Sequence, residues 1–65
     1  MTLDKRASYI ANIEDSISFI VSQQGNSDTV DFILGKYGVS YPDELRDSDL
    51  MDAFSEIYAV DADLR

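Results

Sequence analysis

The chain has 65 residues and a formal net charge of −8 at pH 7, with 13 Asp and Glu against 5 Lys and Arg, and it contains neither Cys nor His. That length holds one domain, the residue set excludes disulfides, thiolate metal centres and imidazole catalysis, and the charge repels nucleic-acid phosphates and anionic lipid alike. A hydrophobic fraction of 45% is that of a folded domain rather than a disordered acidic tail. No apolar run reaches the roughly 18 to 20 residues that span a bilayer, and MTLDKRASY lacks the apolar centre of a signal peptide. The expectation is one acidic helical domain over residues 1–65, cytoplasmic, binding neither nucleic acid nor membrane directly.

The first periodic segment covers about Asp4 to Gln24. Ile10, Ile13, Ile17, Ile20 and Val21 recur at steps of three and four, the period of a helix with one apolar side, and Tyr9 lies beside them. Thr2 or Asp4 can cap its start, and Gly25 is placed to take the left-handed conformation just past its end. The cluster GNSD then makes a tight turn, in which Asn26 or Ser27 can accept from free N–H groups of the next helix.

That second helix is predicted over Asp28 to Tyr37, with Val30, Ile33, Leu34 and Tyr37 facing inward. Gly38 follows, and Val39 can touch Leu34, the contact that accompanies a Schellman ending. In SYPDELRDS, Pro42 is pre-set for a first helical turn and Asp43 and Glu44 favour its positive end, so a short helical turn is expected around residues 42–46. Asp47 or Ser48 then caps a long final helix ending near Asp63. Leu50, Ala53, Phe54, Ile57, Val60 and Leu64 share one side of it, and Asp49, Asp52, Glu56 and Asp63 share another. No stretch alternates as a strand would. The fold class is therefore all-α, a compact three-helix bundle with one additional short helical turn.

Chemistry is sparse. The run DSDLMDAFSE from Asp47 places acids where a calcium loop has them at its first and third positions, but Asp52 stands where that loop needs Gly and Tyr58 where it needs Glu. The glycines are too scattered to cradle a phosphate. No catalytic residue, cofactor or metal is expected. Asp61 falls at the border of the apolar side, between Phe54 and Ile57. Near the end of the chain it is expected to reach solvent, although a small hydrolase could use it with a second carboxylate in a cleft.

The acidic side of the last helix is the feature that points to a function. From Asp43 to Asp63 eight acidic residues stand against one Arg. Asp49, Asp52, Glu56 and Asp63 form a strip that suits a basic protein partner. Their intervals also resemble those between phosphates on a strand, so the alternative is a DNA mimic that blocks a nuclease, a restriction factor or another nucleic-acid-binding protein. Phe19 and Phe32 lie off the core stripes and are candidates for a hydrophobic interface, including one in a homodimer.

DTVDFILGKYGV, from Asp28 to Val39, and DAFSEIYAVDADLR, from Asp52 to Arg65, resemble small acidic helical modules of unknown function that accompany plasmid and conjugative-element proteins of Gram-positive bacteria. The resemblance implies a bacterial cytoplasmic accessory protein of a mobile element, and it transfers no catalytic residue. The function expected from sequence is that of a non-enzymatic interaction module that docks its partner through the C-terminal helix.

Overall fold

A computed structural model describes the backbone of residues 3–65 and the side chains of residues 5–65. The Thr2 and Asp4 caps lie outside them. Three helices appear where the periodicity predicts them: α1 (Leu3–Gln24), α2 (Asp28–Gly35) and α3 (Asp47–Leu64), with a single 3-10 turn at Pro42–Glu44 between the last two. Among the described residues there is no strand. The fold is a small all-α three-helix bundle.

The connections follow from local chemistry. Gly25 takes φ +77°, as expected, and the Asp28 N–H donates to Asn26 Oδ1 at 3.0 Å. Asn26 thus supplies the expected hydrogen bond, whereas Ser27 makes no capping bond and donates its hydroxyl to Asp31 instead. The second helix ends earlier than predicted. It stops at Gly35, Lys36 is its C-cap, and Tyr37 belongs to the turn beyond. That turn is the Schellman closure: the Val39 N–H donates to the Leu34 carbonyl at 3.3 Å, the Gly38 N–H donates to Gly35 at 3.1 Å, and Gly38 sits at φ +74°.

The start of α3 differs from the sequence-based expectation. Its N-cap is Arg46 in extended conformation, with no side-chain capping bond. Asp47 is instead held by Arg6, whose Nη1 donates to Asp47 Oδ1 at 2.7 Å while Nη2 donates to the Asp43 carbonyl at 2.9 Å. One guanidinium thereby joins α1, the 3-10 turn and α3. Within the turn, the Glu44 carboxylate accepts from the N–H groups of Ser40 and Tyr41 at 2.9 and 3.0 Å.

The contacts Arg6–Asp47, Tyr9–Phe54 and Phe19–Arg65 advance together along both helices, so α1 and α3 run parallel and pack directly on each other, with α2 against both. The core is built from Ile13 and Ile20 of α1, Val30, Ile33 and Leu34 of α2, Leu45, and Leu50, Ala53 and Ile57 of α3, all buried. Leu64 was expected to join this stripe. It is 36% exposed, in the last turn of α3. The accessible surface is 4190 Å², close to the roughly 4,200 Å² expected for a monomer of this mass. The chain therefore closes its core by itself.

Candidate functional site

The eight carboxylates between Asp43 and Asp63 divide by what they touch. Glu44 and Asp47 are engaged as just described, and Asp49 accepts from Arg46 Nε at 3.3 Å. Glu56 receives both the Lys36 ammonium and the Tyr37 hydroxyl. Asp61 receives the Arg65 guanidinium and the Ser16 hydroxyl. Asp43, Asp52 and Asp63 remain, all exposed, and their carboxylates make no hydrogen bond or ion pair among the described residues.

The strip of Asp49, Asp52, Glu56 and Asp63 thus stands on one side of α3, but its members are not equivalent. Asp49 and Glu56 lie at the edge of the core, where α2 approaches, and both are half-buried. The hydrogen bonds from Lys36 and then Tyr37 hold the Glu56 carboxyl below its ordinary value, against an opposing effect of burial. Its hold on Tyr37 works the other way. The hydrogen bond to Glu56, then burial, then the charges of Glu56, Asp52 and Asp49 push the phenol up from 10.0 to about 12. Asp52 and Asp63 face outward. Met51 and Tyr58, 58% and 55% exposed, stand roughly 100–140° further round the helix.

Asp61 corrects the sequence reading. It is 4% exposed rather than solvated. α1 crosses this flank of α3, and the small Ser16 of α1, itself buried, leaves room for the carboxylate and a hydroxyl to meet it. The Arg65 and Ser16 hydrogen bonds, the larger from Arg65, hold the Asp61 carboxyl below the usual range despite its burial, and the same pair pushes the Arg65 guanidinium upward. The signal was present in the sequence. Asp61 continues the spacing Leu50, Phe54, Ile57, and Arg65 follows it by four residues, the step that brings side chains together on a helix.

A recess of about 440 Å³ opens at this point between α1 and α3, lined by Asp15, Asp61, Phe54, Tyr58 and Arg65 among others. Phe54 stacks on Tyr58 with centroids 5.9 Å apart and meets Tyr9 edge-on at 5.7 Å. A carboxyl group kept ionised by a guanidinium cannot act as a general acid near neutral pH and is a weak base. Among the described residues no group of three carboxylates is placed to hold a metal ion, and no helix is long and apolar enough to cross a membrane.

The two Phe residues singled out from sequence differ. Phe32 is 70% exposed, with the Lys36 ammonium 5.5 Å from its ring centroid. Phe19 is partly buried, and the Arg65 guanidinium lies over its ring at 4.1 Å.

No family model matches the chain, and the comparisons with curated proteins and with solved structures likewise gave no match.

Proposed function

We propose that this protein is a non-enzymatic interaction module that docks a basic partner protein through the outward side of α3. The observation that carries this is the division of the carboxylates. Most of those in the last third of the chain are paired within the fold, while Asp52 and Asp63 are left exposed and unpaired on one side of α3 among the described residues. Unpaired acids exposed on one side of a helix supply long-range attraction for a basic protein surface. Phe32 offers a separate, apolar contact. The resemblance noted in the sequence adds the setting, a bacterial cytoplasmic accessory protein of a mobile element.

The DNA-mimic alternative draws on the regular spacing of four carboxylates. With Asp49 paired to Arg46 and Glu56 to Lys36 and Tyr37, the two that stand free are eleven residues apart, about 16 Å along the helix. That interval does not follow a phosphate backbone, so docking of a basic protein surface is the better supported of the two.

Affinity capture from the native host at low and high salt tests the proposal. The expected result is a set of partners held at low salt, released at high salt, and carrying basic surfaces without a common nucleic-acid-binding activity. Capture of nucleases or restriction factors alone would move the assignment to the mimic.

A further inference from the structure

We propose that the recess between α1 and α3 is a receptor for an arginine side chain of a basic partner, and that Arg65 is the chain's own occupant of it. This site is separate from the docking strip and does not rest on it. Asp61 and Asp63 lie two positions apart on one helix, which sets them about 160° apart around its axis.

Three observations meet there. First, Asp61 is a carboxylate only 4% exposed that nevertheless lines an open recess. A buried acid is strongly disfavoured unless a cation or donors satisfy it, and the cation that does so, Arg65, has a side chain 63% exposed. The pair therefore faces outward and can be exchanged from solvent.

Second, the surroundings already display how they hold a guanidinium. The Arg65 Nε–H donates to the Asp61 carboxylate, and the centre of the same guanidinium lies over the Phe19 ring at 4.1 Å. Edge-on hydrogen bonding and face-on stacking are the two contacts in which Arg differs from Lys. The stacked Phe54 and Tyr58 rings supply further aromatic wall.

Third, the recess is not neutralised by its occupant. Asp15 and Asp61 both line it, and among the described residues lining it Arg65 is the only cation, so it keeps a net negative charge. The Ser16 hydroxyl would continue to orient Asp61 when Arg65 swings away.

The test is titration of the full chain with N-acetyl-arginine amide, followed by NMR at Ser16, Tyr58 and Asp61, with N-acetyl-lysine amide as the second probe. Saturable shifts confined to this recess, stronger for the arginine probe, are expected. Arg65→Gln removes a competitor whose effective concentration is on the order of millimolar or higher, so binding should tighten about tenfold; adding Asp61→Asn should abolish it. Equal response to both probes, shifts confined to Asp52 and Asp63, or no tightening in Arg65→Gln would overturn the proposal. If Arg65→Gln loses helicity by circular dichroism, the wild type against Asp61→Asn decides instead. Binding in the first alone supports the site, and equal binding in both removes it.

Discussion

α3 is gripped on two flanks by the same kind of group in two different arrangements. On the α2 side, half-buried Glu56 takes its donors from Lys36 and Tyr37, twenty and nineteen residues away in sequence. On the α1 side, Asp61 is more deeply buried, but its charged partner, Arg65, is four residues along on the same helical path. The first arrangement ties two elements together. In the second the ion pair is internal to the α3 path, and what reaches across to α1 is the Ser16 hydroxyl and the stacking of Arg65 over Phe19. A buried charge satisfied mainly by its own helix contributes little to holding the bundle together, although its burial carries the full desolvation penalty. The Glu56 contact is thus a structural tie, and the Asp61 contact has the character of a binding site.

The largest effect tests the frame that both flanks share. Ile57 is fully buried between them, and Ile57→Ala should cost about 2–5 kcal/mol. A domain of this size has roughly 3–10 kcal/mol in total. Thermal unfolding followed by circular dichroism should therefore show a large fall in Tm or no folded baseline. A fall of only a few degrees would mean that the two flanks do not pack on a common core.

Replacing each carboxylate with Leu separates the flanks. Asp61→Leu should leave Tm unchanged or raise it, because it removes the desolvation cost of a buried carboxylate and leaves behind only Arg65, whose side chain is 63% exposed and stays solvated. Glu56→Leu should lower Tm, since it leaves Lys36 and Tyr37 without their acceptor. The reverse order would erase the distinction between tie and site.

Titration gives smaller effects that sharpen the same contrast. Both carboxyl groups are held below their ordinary values of 3.8 for Asp and 4.5 for Glu. The unfolded chain therefore takes up protons first as pH falls. The stabilisation is complete above the ordinary range and is lost progressively as pH drops through it towards the folded values. Glu56→Gln and Asp61→Asn should each reduce the fall in Tm on acidification relative to the wild type.

Only the Glu56 flank carries an alkaline counterpart. The Tyr37 phenol is pushed from 10.0 up to about 12, so its contribution is intact below pH 10 and disappears between 10 and 12. Tyr37→Phe should remove that loss. An unchanged alkaline transition in the variant would place the hydroxyl elsewhere than on Glu56.

The same contrast separates what is legible in the sequence from what is not. Local, periodic features are legible: the apolar repeat of Ile13 and Ile20, the left-handed Gly25, and the helix stop in which Val39 meets Leu34 are all set by residues within a few positions of one another. Features that depend on how the helices approach one another are not. Nothing near Glu56 announces Lys36 and Tyr37, because their meeting requires α2 to end at Gly35 and the turn after it to swing back against α3. Asp47 is a good cap by residue type, but Arg6 claims it from forty-one positions away. Asp61 is intermediate. Its place on the apolar side and its Arg65 partner are both readable, but the small Ser16 that lets α1 cover it belongs to a helix whose rotation the pattern does not fix.

The most direct measurement is partner capture with Asp52→Lys/Asp63→Lys compared against Glu14→Lys/Asp28→Lys, which changes the net charge equally at exposed positions elsewhere. The account predicts that the first pair loses the partner, the second keeps it, and both unfold at nearly the wild-type temperature. Equal losses from the two pairs, or full binding by Asp52→Lys/Asp63→Lys, would contradict it.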